Sequence, residues 1–245
     1  KIPVLVLRYF PTADGTNIDT AYDADLSLTD HFPLATLKSQ IAAYDPRVKF
    51  MLEEGSRFRG YSNASTPHSL GYQVVQYITV YEPLPPGPAN GVSNGQTIYR
   101  PDYAQIFERW NIQQYVEALG VKEIWFWAVP CYPRAGRPDL RPESYVGMWE
   151  SNMSSPTTGD VSNSDRDNSD LPIYNKTYVV YSQNVHRTQA EAIHNHGHQL
   201  ESILAHANQL QDGNTDLWWG NFARAANNPP ARCGNTHFPP NALSD

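Results

Sequence analysis

Two rhythms of hydrophobic spacing alternate along this chain. Residues 2–10 form a nearly unbroken apolar, β-branched run closed by Pro11, which predicts a buried strand. Leu34, Leu37 and Ile41 then repeat at helical spacing, so residues 34–43 are expected to form a helix that Pro46 interrupts and residues 48–52 resume toward Gly55. Residues 70–81, rich in Tyr and Val, read as a strand stopped by Glu82-Pro83, and residues 83–95 as a Pro/Gly/Asn loop. A helix over residues 102–119, capped by Asp102 and stopped by Gly120, leads into residues 121–129, a strand apolar on both faces. A short strand at 178–181 precedes a helix over 187–207, and residues 216–226 read as a last helical segment.

This alternation predicts an α/β fold: a single three-layer domain over residues 1–245, with a mostly parallel central sheet and long irregular loops. In such sheets, sites form outside the carboxyl ends of the strands. The loop after Val129, leading to Trp149-Glu150-Ser151-Asn152, and the turn before His194 are therefore expected to converge. Tyr9-Phe10-Pro11 stands where the glycines of a phosphate-binding turn would follow the first strand, which argues against a dinucleotide site.

The helix over 187–207 carries the best candidate chemistry. Thr188 and Glu191 have the spacing of a capping box. On a helical wheel Ile193, Gly197, Leu200 and Leu204 form one stripe, expected to face the core, with Glu191, His194, His198 and Glu201 along its edge. His196 and Gln199 point elsewhere. His194 and His198, at i and i+4, can share one metal ion. A zinc peptidase of that spacing carries its glutamate directly after the first histidine, and here that place is Asn195. The candidate general bases are therefore Glu150, Glu191 and Glu201. Zinc or another transition metal is the expected cofactor, with His237 as a distant ligand. The alternative is a partly buried His/Glu hydrogen-bond network.

Residues 160–170 hold four aspartates among Ser and Asn, hard oxygen donors that suit calcium, with Asp160, Asp165 and Asp167 as ligands. An EF-hand is excluded, since Asp170 and Lys176 occupy the places of its glycine and bidentate glutamate. A locally hydrogen-bonded Asx-turn loop is the alternative reading. A third has Asp165 or Asp167 pairing with Glu150 to act on a glycosidic bond.

Composition narrows the function classes. The formal net charge of −7 argues against a nucleic-acid partner. No run of 18 apolar residues predicts a membrane span. Six Trp, fifteen Tyr and twenty Pro suit a rigid, loop-rich extracellular protein, and Lys1 in first place fits a removed signal peptide as well as any other trimming. In an exported protein Cys131 and Cys233, the only cysteines, are expected to pair, stabilising the fold by about 3–5 kcal/mol on the loop-entropy view. Asn63, Asn152 and Asn175 head glycosylation sequons.

Three blocks resemble an uncharacterised family of predicted secreted proteins. They are the Trp149-Glu150-Ser151-Asn152-Met153-Ser154 block continuing through Asp160 to Asp167, the helix from His194 to Glu201, and Arg232-Cys233-Gly234-Asn235-Thr236-His237-Phe238-Pro239-Pro240-Asn241. The resemblance extends along most of the chain and implies export, without transferring a catalytic role. The expected function is a secreted, metal-assisted hydrolase acting on an extracellular glycan or peptide. The alternative is a non-catalytic extracellular binding or assembly module stabilised by calcium and a disulfide. Oligomeric state is not legible in the sequence.

Overall fold

A computed structural model of the protein describes residues 1–26, 32–58, 60, 62–134, 136–140, 145–147, 150–163, 171–212 and 236. In chain order its elements are β1 (Ile2–Tyr9), α1 (Leu34–Gly55), β2 (Tyr72–Val80), β3 (Pro86–Ser93), β4 (Gln96–Pro101), α2 (Tyr103–Arg109), α3 (Ile112–Glu117), β5 (Glu123–Ala128), β6 (Ser151–Ser155), β7 (Gly159–Asp160), β8 (Tyr178–Asn184) and α4 (Gln189–Asp212). Six strands form one sheet in the order β2-β1-β5-β8-β6-β7. The first four run parallel, whereas β6 pairs antiparallel with both β8 and β7. The fold is therefore mixed α/β with a mostly parallel sheet, as the alternating pattern implies.

Strands β1 and β5 lie inside the sheet because their side chains are apolar on both faces. Alternate residues of a strand point to opposite faces. Leu5, Leu7, Ile124 and Phe126 join Ile106, Phe107, Ile112 and Val116 of α2 and α3 in one core cluster. Val4, Val6, Trp125 and Trp127 join Leu37, Ile41 and Val48 of α1 and Ala192 of α4 in the other.

Three elements depart from the sequence expectation. Helix α1 runs unbroken through Pro46. Proline removes one backbone donor from the ladder, but the preceding residue is anchored from the sheet. The buried Asp45 carboxylate accepts from the Trp127 indole N–H at 2.8 Å and pairs with Arg8 of β1. The single helix expected over 102–119 is two short ones. Asp102 caps α2 as expected, accepting from the Gln105 amide. At the break Asn111 turns left-handed at φ 50°, and the Trp110 indole donates to the Tyr9 hydroxyl at 3.1 Å. Asn is one of the few residues that tolerates that conformation. The expected loop over 83–95 instead contains β3, hairpinned to β4 by the two-residue turn Asn94-Gly95, both at positive φ. This is a strong short hairpin signal, masked in the sequence by the surrounding prolines.

The carboxyl edge of the sheet is drawn together by charged loops. Arg137 donates to the backbone oxygens of Thr20 and Asp23, and Arg134 to that of Ala24, so the segment after β1 is tied to the segment after β5. The buried Asp23 also meets His186 Nε2 at 2.6 Å, just before α4. Burial would depress the imidazole, but the Asp23 hydrogen bond and the charges of Asp23 and Asp25 outweigh it and raise its pKa. A raised folded-state pKa means the protonated pair stabilises the fold fully below the unfolded value of about 6.5 and loses that contribution as pH climbs through the folded value. Thermal unfolding followed from pH 6 upward is thus expected to show a falling Tm that His186→Gln flattens.

Candidate functional site

Thr188 caps α4, its hydroxyl accepting from the Ala190 amide at 3.3 Å. Glu191 does not complete a capping box. Its carboxylate instead lies 3.1 Å from Arg187 Nε. The group is thereby turned into a cavity of about 140 Å³ beyond the carboxyl ends of β5 and β8, lined by Pro130, Tyr132, Glu150, Ser182, Asn184, Arg187 and Glu191. The loop after β5, the segment entering β6 and the turn before α4 do converge there. A second hollow of about 340 Å³ shares Arg187 and Glu191 with the first and reaches His194.

His194 and His198, one turn apart, bring their Nε2 atoms within 2.9 Å, with the rings edge-on at 84°. His198 Nδ1 is 3.0 Å from Glu201 Oε2, and the other oxygen of Glu201 accepts from the Thr236 amide. A carboxylate only accepts, so Nδ1 of His198 carries the proton and the neutral ring keeps a lone pair on Nε2.

Charge divides the site. The Glu201 hydrogen bond raises the His198 pKa, against burial and with help from the charges of Glu201 and Glu150. Burial pushes Glu150 up, but the Asn163 amide at 2.8 Å, its own backbone N–H and the nearby His198 and His194 outweigh it and hold the carboxyl below its usual range. Glu191 moves the opposite way. Burial raises it, Arg187 and the Asn184 amide oppose this, and the charges of Glu150 and Asp25 add to the rise. Glu201 is also held low, because His198 and Thr236 overcome its burial.

The apolar stripe expected to face the core does not. Leu200 is 61 % exposed, and Ile193 and Leu204 are only partly buried. The inner face of α4 is instead Ala192, Asn195, His196, Gln199 and Ser202, including both residues expected to point elsewhere. The reason lies in the backbone beneath. Asn195 donates to the Ser182 carbonyl at 2.7 Å and Gln199 to the Val161 carbonyl at 2.9 Å, satisfying acceptors that an apolar face would leave buried and unpaired. His196 stacks on Tyr181, with ring centroids 3.6 Å apart. Its Nδ1 donates to the Ala192 carbonyl, and its Nε2 lies 3.2 Å from Glu123 Oε2.

Of the residues singled out from sequence, Glu150, Glu191, His194, His198 and Glu201 therefore gather at one end of α4. Asp160 is a buried residue of β7 whose carboxylate accepts from the Ser162 hydroxyl. His237, Asp165, Asp167, Cys233 and the helical segment expected over 216–226 lie outside the described residues. Cys131 is buried. Among the described residues no three His, Cys, Asp or Glu side chains converge closely enough to hold a metal ion by themselves. Sequence reasoning missed Asn184 and Arg187, and held Asn163 and Thr236 only within longer blocks without a role of their own. Arg187 alone had a signal, as the cation just before the cap of a helix with an acidic first turn. No helix among the described residues is long and apolar enough to cross a membrane. Comparison with protein-family models, curated proteins and solved structures finds no match to this chain.

Proposed function

We propose that the protein is an exported, metal-assisted hydrolase of an extracellular glycan or peptide, built as a single three-layer domain. The observation that carries this reading is the meeting of two imidazole Nε2 atoms at 2.9 Å beside two carboxyls of opposite pKa tendency. In a tetrahedral zinc site, nitrogens at their usual bond length lie about 3.3 Å apart, so sharing an ion needs the two Nε2 atoms to part by about 0.4 Å and their lone pairs to turn from each other toward the metal. Two protein ligands leave positions for water and substrate, and His237 stays the proposed further ligand. A metal held there would acidify a bound water.

Each carboxyl then has a role suited to its charge. Glu150, held ionised, takes a proton from the attacking water as the water oxygen bonds to the acyl or anomeric carbon. Glu191, whose pKa burial raises, is the carboxyl assigned to give a proton to the leaving group as the old bond breaks. Carboxyls pushed apart in pKa are how one cavity supplies both a base and an acid. Glu201 orients His198. The calcium expected on Asp160, Asp165 and Asp167 is proposed only as a stabiliser.

One observation favours the non-catalytic module instead: an Nε2–H···Nε2 hydrogen bond between the two histidines satisfies both without metal. The readings separate by zinc titration of the purified chain and by hydrolysis of peptide and oligosaccharide panels with and without chelator. The hydrolase reading expects bound metal and chelator-sensitive cleavage. It also expects Glu150→Gln to lower kcat by about 10²–10⁴-fold with metal retained. A chain that binds no metal and cleaves nothing is a module.

A further inference from the structure

Gly197 sits inside α4 between two histidines, where glycine is a poorer helix former than alanine. Its φ is not left-handed, so the backbone does not require it. Close approach does. A Cβ at this position would lie 2.6 Å from Thr236 Oγ1 and 3.3 Å from Thr236 Cγ2. Thr236 thus occupies the place a side chain would fill. Glu201 is one turn further along the same face of the helix, and there Thr236 donates its backbone N–H to the Glu201 carboxylate.

These contacts form one line: Thr236 N–H to Glu201, Glu201 to His198 Nδ1, and His198 Nε2 to His194 Nε2. A glutamate side chain has several rotamers, and most would release the imidazole. A fixed donor on its outer oxygen selects the one that reaches His198. Carboxylates behind metal-binding histidines set tautomer and ring direction in this way.

We propose that Thr236, seated in the notch left by Gly197, is a positioning residue that holds Glu201 on His198 Nδ1 and so directs the His198 Nε2 lone pair toward His194. The consequence for metal binding rests on the hydrolase reading; the consequence for the His198 tautomer does not.

The test uses the full chain and three variants. Gly197→Ala pushes Thr236 out of the notch, Thr236→Pro removes the N–H donor with the notch intact, and Gly197→Ala/Thr236→Gly restores room while keeping an amide donor. Side-chain ¹⁵N NMR of metal-free protein is expected to show His198 as the Nδ1–H tautomer in wild type. The single variants lose this preference, and the double variant recovers it. Zinc titration is expected to show affinity weakened about 10–100-fold in both single variants and restored in the double one. Should Gly197→Ala fail to fold, Thr236→Pro carries the decision. An unchanged His198 tautomer in folded Thr236→Pro overturns the proposal, as does a double variant no better than Gly197→Ala. Absence of zinc binding by the wild type defeats the hydrolase reading alone, because the tautomer still reports on Thr236.

Discussion

Asp45→Ala is expected to lower the unfolding free energy by about 3–5 kcal/mol, the cost of breaking a buried ion pair from one side. The Asp45 side chain is 2 % exposed, and it ties helix to sheet by accepting from Trp127 and pairing with Arg8, whose guanidinium lies over the Tyr77 ring. Burial pushes the carboxyl's pKa up, and Arg8 and Trp127 only partly reverse this, so each partner depends on the other for its place. Alanine would strand the Arg8 charge and orphan the Trp127 N–H together. Stabilities of about 5–15 kcal/mol are usual, so the variant would be marginal. Asp45→Asn keeps an acceptor for Trp127 and is expected to lose distinctly less. Urea unfolding checks both as a shift in midpoint at constant slope. A loss under about 1 kcal/mol for the alanine variant would place the contact with ordinary surface ion pairs.

The same residue shows what the sequence reveals and what it hides. The apolar runs of β1 and β5 announce interior strands, since a strand buried on both faces needs no alternation to be recognised. Pro46, by contrast, reads locally as a helix breaker. Whether a helix survives it depends on what holds the neighbouring turn, here Arg8 and Trp127, which are 37 and 82 residues away from Asp45. The break at Asn111 is a backbone conformation that sequence permits without requiring, whereas the Asn94-Gly95 hairpin had its signal hidden among prolines.

The candidate site was legible through its topology and spacing. Strand order sends the segments after β5 and β8 to one edge, and the i, i+4 histidines stand out without any structure. The orientation of α4 was not legible, because the wheel rewards apolar side chains. Leu200 is an ordinary core residue by composition, yet the surface under α4 offers carbonyls of Ser182 and Val161 that need amide donors. Hydrophobic periodicity fails where a helix docks on buried carbonyls that need donors. That reversal also exchanged the roles of the histidines, making His196 the buried one.

His194→Ala and His198→Ala are each expected to weaken zinc binding by more than the roughly 10–100-fold that losing an outer-shell partner costs, and the double variant to abolish it. Neither should unfold the protein. Both rings are only partly buried, and the neighbours they would leave, Glu201 and Glu150, keep hydrogen bonds from Thr236 and Asn163. His196→Ala is the contrasting variant on the same helix. It removes the stack on Tyr181 and leaves the buried Glu123 without its imidazole, so Tm should fall while zinc affinity holds. Zinc titration and thermal unfolding on the three variants therefore separate a metal clamp from a structural histidine network. If His194 and His198 destabilise the chain as His196 does, and zinc neither binds nor protects the wild type, the cluster is a network. Zinc retained by the double variant would move the metal site elsewhere. Loss of zinc with stability unchanged leaves only the clamp, since no structural role predicts that pair of results.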